Sequence, residues 1–220
     1  MVNVRSADDL TTRARIRDAA VVRFGRDGFR VGLRAIASDA GVSPGLVIHH
    51  FGSKERLRGE CDAHVRRTIR EVKAEAITQW SPGQILGEMS NAAEYAPLVG
   101  YVVRCLLDGG ALAAEFVEGM VADAAAYLEE AVDAGTVRPS SDPPGRARYL
   151  IATTVGMLVI AQLEADAGRG VSPTVDPAGA LGQMWQTVLL PGLEMMTDGL
   201  LTSSDLLDEY RTAMAGDPSP

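Results

Sequence analysis

The chain has 220 residues, 46% hydrophobic and 5% aromatic, enough to bury one sizeable core or two small ones. Its longest uncharged apolar stretch, residues 149–163, contains threonine, glycine and glutamine and is shorter than the roughly 20 residues that a membrane-spanning helix requires. The net charge of −8 disfavours nucleic acid as a partner, but the charge is distributed unevenly. Residues 1–73 hold 15 basic and nine acidic side chains, a net charge of +6, whereas residues 74–220 hold six basic and 20 acidic side chains, a net charge of −14.

The first predicted element is an amphipathic helix. Ile16, Ala20 and Phe24 recur at four-residue spacing, and arginines occupy the other faces, so one side of the helix meets water. Gly25 and Gly28 predict its end. The positive charge of residues 1–73 has two interpretations, and the charge alone does not decide between them. The region is either a module that binds a polyanion or a set of arginine-rich helix faces that are simply solvated.

Two short helices follow. From Leu33 onward, apolar residues at i, i+3, i+4 and i+7 predict a helix of about two turns, and Gly41 stands where a left-handed cap is wanted. Ser43 is a favourable N-cap, and Pro44 occupies the first position of a third helix, where its missing N–H costs nothing. Two short helices joined by a tight turn, behind a longer helix, predict a helix-turn-helix unit whose second helix could enter a major groove.

The third helix carries two adjacent histidines, His49 and His50. Imidazole can hydrogen-bond a phosphate oxygen or a base edge, but neighbouring positions on a helix point about 100° apart and form a poor metal site. Ser53 then caps a fourth helix that begins with Lys54, which predicts an anion site suited to a DNA phosphate. The alternatives are exposed polar histidines and an ordinary capped helix with a solvated lysine.

The stretches IRDAAVVRFGRDGF (residues 16–29) and LRAIASDAGVSPGLVIHHFGSKERL (residues 33–57) resemble the DNA-binding domain of the TetR family of transcriptional regulators. The resemblance implies an all-α protein of about nine to ten helices. Residues 1–57 would form a three-helix helix-turn-helix domain, a helix at about 53–78 would connect, and residues 58–220 would form a larger helical domain for ligand binding and dimerisation. It further implies a homodimeric repressor that binds a palindromic operator and is released by a small-molecule inducer.

The DNA contacts of the family carry over onto the second, third and fourth helices. Three positions depart from the usual family pattern: Gly32 replaces a threonine, Ile48 replaces a tyrosine and His49 replaces an aromatic. We therefore expect an operator read partly through thymine methyl groups and DNA shape. By resemblance, the DNA-binding residues are Arg34, Ser43, Pro44, Gly45, Leu46, Ile48, His49, His50 and Lys54.

After the fourth helix, the sequence pattern predicts further helices at residues 85–93, 96–107, 111–134, 146–167 and 180–200. The resemblance places the dimer interface on the last two of these helices, which carry more apolar residues than one buried helix face requires. The alternative is that these residues pack in the core of a monomer. Candidates for that interface are Val155, Leu158, Val159, Gln162, Leu181, Met184, Trp185 and Val188.

An effector pocket would be walled by the middle helices, with ordinary core packing as the alternative for each residue. Candidates are Trp80, Met89, Tyr95, Tyr101, Arg104, Phe116, Met120 and Tyr127.

Several other functions are disfavoured by the sequence. It contains no G-x-S-x-G, P-loop or dinucleotide fingerprint, and no histidine beyond the fourth helix, so we expect neither an enzyme nor a cofactor. The N-terminus has no apolar run and the two cysteines are widely spaced, which favours a cytoplasmic protein that does not enter a membrane. A ligand-independent regulator controlled by a protein partner, and an all-α enzyme, stay open as alternatives.

Overall fold

The computed structural model describes residues 7–79 and 92–215, and that part of the chain contains helices and no strand. The predicted all-α class is therefore confirmed. Nine helices are described: α1 (Ala7–Asp27), α2 (Leu33–Asp39), α3 (Pro44–Phe51), α4 (Lys54–Thr78), α5 (Ala92–Asp108), α6 (Gly110–Asp133), α7 (Pro143–Asp166), α8 (Pro177–Thr197) and α9 (Asp205–Ala215).

The chain divides into two compact units, residues 1–183 and residues 184–220. In the first unit, α1 packs against α4 and α5, α2 packs against α1 and α3, and α6 lies between α4 and α7. The second unit holds the remainder of α8 and the whole of α9, and its side chains are mostly exposed.

The core of the N-terminal region is built from the face that the four-residue spacing predicts. Ile16, Ala20 and Phe24 of α1 are fully buried, as are Leu57 and Val65 of α4. This burial stabilises the short helices α2 and α3, since helices of seven or eight residues are marginal on their own.

Helix α1 continues through Gly25, which sequence analysis placed at its end, and it ends at Asp27. A Cβ atom on Gly25 would lie 2.9 Å from the backbone nitrogen of Tyr101 and 3.0 Å from the carbonyl carbon of Gly100. Gly25 therefore allows α1 and α5 to cross in close contact. The turn after α1 is made by Gly28, whose φ of 81° lies in the left-handed region.

The C-terminal helices differ in two places from those predicted. Helix α5 begins at Ala92 and runs through Pro97, which removes only one backbone hydrogen bond near the start of the helix. The helix predicted at residues 85–93 lies almost wholly outside the described residues. Helix α9 was not predicted; its start carries Ser204, whose hydroxyl donates to the Asp208 carboxylate at 2.8 Å.

Candidate nucleic-acid interface

The turn between α2 and α3 is closed by backbone hydrogen bonds. The amide of Gly41 donates to the carbonyl of Ser38 at 3.2 Å, and the amide of Val42 donates to the carbonyl of Ala37 at 2.9 Å. Gly41 has a φ of 64°, which a residue with a Cβ adopts only at a cost. The predicted left-handed cap is present, and it turns the chain abruptly into α3.

Helix α3 begins with the cap that its sequence predicts. The hydroxyl of Ser43 accepts a hydrogen bond from the amide of Leu46 at 3.2 Å, and Pro44 occupies the first helical position. Val47 and Phe51 point into the core, with 1% and 4% of their surface exposed. This anchors one face of α3 and leaves the opposite face to solvent.

The solvent face of α3 carries the residues expected to read DNA. Ile48 is 45% exposed. The rings of His49 and His50 lie 5.5 Å apart, with His49 exposed and His50 half-buried. Of the other predicted contact residues, Leu46 and Lys54 are half-buried, and the exposed ones are Arg34, Ser43, Pro44 and Gly45.

Arg13 holds the C-terminal end of α3, a role that sequence analysis missed. Its guanidinium donates to the backbone carbonyl of His50, pairs with Glu60 at 2.7 Å and lies 4.5 Å from the centre of the Phe51 ring. A cation at the last turn of a helix also complements the helix dipole. Arg13 therefore joins α1 and α4 to α3. Its position among the other arginines of α1 does not distinguish it as a residue that makes this contact.

Arg23 joins α1 to α2 in a similar way. Its guanidinium donates to both carboxylate oxygens of Asp39 and pairs with Asp27 at 2.7 Å. Hydrogen bonds from Arg23 lower the pKa of the Asp39 carboxyl, so this clamp is charged across the physiological pH range.

The comparisons with known proteins agree with this geometry. Residues 16–61 match the family described as bacterial regulatory proteins, tetR family, and residues 93–202 match the tetracyclin repressor-like C-terminal domain. The chain is 47% identical over 208 residues to the HTH-type transcriptional regulatory protein RaaS of Mycobacterium tuberculosis (strain ATCC 25618 / H37Rv), covering 94% of each protein. The chain belongs to the TetR family. It is a transcriptional regulator with a DNA-binding domain.

Two solved structures share the fold of this TetR-family protein. Bacillus subtilis FadR, solved in complex with stearoyl-CoA, is 19% identical, with a TM-score of 0.54 over 86% of this chain and 99% of that one. Salmonella enterica GusR is 22% identical, with a TM-score of 0.50 over 85% and 97% of the two chains.

Gly32 marks where this member departs from the TetR-family pattern. It is the N-cap of α2 with no side-chain cap, and its φ of −82° and ψ of 154° suit any residue. We predict that Gly32→Thr raises the free energy of unfolding by a few tenths of a kcal/mol and strengthens DNA binding severalfold, because the hydroxyl caps α2 and reaches a phosphate. Thermal melting and fluorescence anisotropy with duplex DNA measure the two effects.

Gly32→Ala is the matched control, since no atom lies within 4 Å of the added Cβ and no hydroxyl is present. Equal DNA affinity of the threonine and alanine variants would contradict the phosphate contact. A threonine variant no more stable than the alanine variant would contradict the cap.

The pocket candidates that the structure describes lie at several places on α5 and α6. Met120 and Tyr127 line a cavity of about 20 Å³, which has room for roughly one water molecule. Tyr95 is half-buried on α5, and Phe116 is 3% exposed on α6. Trp80 and Met89 lie outside the described residues.

Two of the pocket candidates, Arg104 and Tyr101, make hydrogen bonds to other helices. Arg104 donates to the carbonyls of Arg26 at 3.0 Å and Gly25 at 3.5 Å, so it caps the C-terminal end of α1. Tyr101 is fully buried, and its hydroxyl donates to the Asp62 carboxylate at 2.6 Å. Both residues join α5 to the DNA-binding region, a role that local spacing does not reveal.

Both cysteines are fully buried free thiols. Burial raises the pKa of Cys105 to about 11 and also raises the pKa of Cys61. The thiolate is therefore disfavoured at either position. Cys105 packs within α5, with its sulfur 4.0 Å from an Arg58 nitrogen.

The interface candidates divide between buried and half-buried positions. Gln162 is 6% exposed and is held by its own chain: its amide donates to Asp166 at 2.7 Å and accepts from Ser172 at 3.1 Å and Thr174 at 3.3 Å. It therefore organises the loop after α7. Leu158 and Leu181 are also buried, while Val155, Val159, Met184, Trp185 and Val188 are half-buried.

Large apolar side chains are exposed beside these positions. On α7, Tyr149, Ile160 and Leu163 are each more than half exposed. In the second unit, Leu190 and Met196 are about 70% exposed. By length and composition α7 is the described helix that could cross a membrane, but a core or interface helix of a soluble protein has the same properties.

Proposed function

We propose that this TetR-family regulator binds a palindromic operator as a homodimer and represses transcription until a small molecule releases it. The observation that carries the proposal is α3, anchored by Val47 and Phe51 and presenting Ile48, His49 and His50 outward. A capped helix with an apolar anchor and an exposed polar face is the arrangement that lies in a major groove.

The outer face of α3 indicates how the operator is read. Ile48 has no hydrogen-bonding group, so it contacts a thymine methyl, and it gives up the phosphate contact that a tyrosine would make. The imidazoles of His49 and His50 reach phosphates or base edges. The Lys54 ammonium, at the start of α4, contacts a phosphate and adds affinity without sequence preference.

Dimerisation accounts for the exposed apolar side chains of the C-terminal half. A monomer that leaves Tyr149, Ile160 and Leu163 more than half exposed on one helix carries an apolar surface that a partner would cover. The dimer would set two copies of α3 about 34–36 Å apart, one helical turn of DNA. Residues 1–57 would then act as the DNA-binding domain and residues 58–220 as the effector and dimerisation domain of a cytoplasmic protein.

Release requires an effector that prefers one spacing of the two DNA-binding domains. Such a molecule shifts the population away from the DNA-competent state by no more than its differential affinity for the two states. Contacts from α5 to α1 through Tyr101 and Arg104 provide the physical connection between the effector domain and the DNA-binding domain.

We predict that Lys54→Ala weakens binding to any duplex DNA by about fivefold for each DNA-binding domain, and so by about 25-fold for the dimer, because each phosphate contact contributes ~1 kcal/mol. The slope of log affinity against log salt should fall by about one for each DNA-binding domain. Fluorescence anisotropy across a salt series measures both quantities.

Lys73→Ala is the control for this experiment, since Lys73 lies on the same helix, is exposed and carries the same charge. If Lys54→Ala and Lys73→Ala give the same slope as the unmodified protein, Lys54 does not contact DNA.

A further inference from the structure

Helix α3 has only eight residues, and its last turn carries both histidines that are expected to contact DNA. The last carbonyl groups of an α-helix have no amide partner within the helix, and a helix this short is marginal on its own. The amide of Gly52 donates to the Ile48 carbonyl at 2.7 Å and closes the end of α3. The orientation of the last turn therefore depends on what the neighbouring helices supply.

Arg13 of α1 supplies a contact at this end of α3. One guanidinium nitrogen donates to the His50 carbonyl, another donates to Glu60 Oε1 at 2.7 Å, and the guanidinium carbon lies 4.5 Å from the centre of the Phe51 ring. Glu60 lies on α4, so the guanidinium joins three helices. The side chain of Arg13 is 24% exposed, and water therefore screens these contacts less than it does at an open surface.

The planar fork of an arginine suits this position. Its two terminal nitrogens donate in different directions while the guanidinium carbon lies over the Phe51 ring. A lysine has the same charge but is a point donor, so it cannot make the two hydrogen bonds and the ring contact in one geometry. The contacts of Arg13 therefore require an arginine, which a general attraction between a cation and a helix end would not.

We propose that Arg13 is a positioning residue for DNA recognition. By holding the His50 carbonyl and the Phe51 ring, it sets the direction in which the side chains of His49 and His50 leave the last turn of α3. Its donors are directed to Glu60 and to the backbone of α3, so it acts through α3 and not through a phosphate contact of its own. This role rests on the proposed function, in which α3 reads the operator.

Arg17 provides a matched control on the same helix. It lies about one turn further along α1, its side chain is 23% exposed, and it pairs with Asp18 at 2.7 Å. Asp18 belongs to α1, so the loss of this ion pair leaves α3 untouched.

Hydrogen–deuterium exchange of the full-length protein, without DNA, tests whether Arg13 orders the end of α3. In Arg13→Ala the amides of residues 48–52 should exchange at least about fivefold faster than in the unmodified protein, the effect of losing one hydrogen bond. In Arg17→Ala they should exchange at the unmodified rate. Equal rates in the two variants would overturn the proposal. The buried amides of α1 should exchange at the unmodified rate in both variants; if they do not, Arg13→Lys and Arg17→Lys replace the alanine variants.

DNA affinity gives a readout that a purely stabilising residue would not change. The probes are the duplex most enriched from a random library and an unselected duplex of the same length. Arg13→Lys keeps the charge, so binding to the unselected duplex should change by less than about twofold. Binding to the enriched duplex should weaken by at least about tenfold, because the base contacts of α3 are misplaced. Arg17→Lys should leave both affinities unchanged.

The outcomes separate this role from the proposed function. Equal losses for the two duplexes in Arg13→Lys, or no loss for either, would overturn the positioning role while the proposed function stands. If no duplex is enriched, the proposed function fails and the role in recognition fails with it. Faster exchange of residues 48–52 in Arg13→Ala would then establish only that Arg13 orders the end of α3.

Discussion

Replacing Phe24 with alanine should lower the free energy of unfolding by about 3–5 kcal/mol, the usual cost of removing a buried aromatic side chain. Phe24 is fully buried, with its ring centre 5.2 Å from that of Phe29 and 6.4 Å from that of Tyr101. The substitution thus opens a void where α1 meets α5. Urea denaturation followed by circular dichroism measures the loss, which is a large part of the 5–15 kcal/mol that stabilises most domains.

Val22→Ala is the matched control, because Val22 lies on the same helix and is 51% exposed. Its free energy of unfolding should change by no more than about 0.5 kcal/mol. A similar loss in the two variants would show that Phe24 does not anchor the junction of α1 and α5.

Gly25→Ala should lower the free energy of unfolding by about 1–3 kcal/mol, despite the helix propensity that alanine adds. The added Cβ would sit 2.9 Å from a backbone nitrogen and 3.0 Å from a backbone carbon of α5, and neither atom can rotate away. The helices must separate, which should also weaken DNA binding if this junction transmits the effector signal. Thermal melting and DNA-binding anisotropy report on the two consequences.

The control for this substitution is Gly59→Ala, also within a helix and with no atom within 4 Å of the added Cβ. It should raise the free energy of unfolding by up to about 1 kcal/mol, as alanine does in an exposed helix. An increase in stability for Gly25→Ala as well would contradict the close crossing.

Much of the DNA-binding region was predictable because its signals are local. Ile16, Ala20 and Phe24 follow helical spacing, and they are buried. Gly41 follows the last apolar residue of α2, where a left-handed residue ends a helix, and Ser43 precedes a proline at a helix start. Each of these features depends on residues within one or two turns, so the sequence displays it directly.

The roles of Arg13 and Arg104 were not predictable in the same way. Arg13 contacts His50, 37 residues away, and Arg104 contacts Arg26, 78 residues away. Contacts over such separations depend on how the helices pack, and no periodicity within either helix marks them. The close contact of Gly25 with α5 was not predictable for the same reason. Its local sequence suggested only the end of a helix.

The buried polar cluster around Arg58 shows this limit most clearly. Arg58 lies on α4 among six other basic residues, and its spacing resembles that of a solvated arginine. Only the fold places it over the Phe29 ring and beside Asp108.

Recognition of a specific palindrome by a dimer through α3 is tested most directly by selecting ligands for the purified full-length protein from a random duplex library. The selection is made at near-physiological salt, and the bound duplexes are sequenced. We expect an enriched palindrome whose half-sites are centred about one helical turn apart, or somewhat more. No enriched sequence, with only salt-sensitive binding to all duplexes, would contradict the claim.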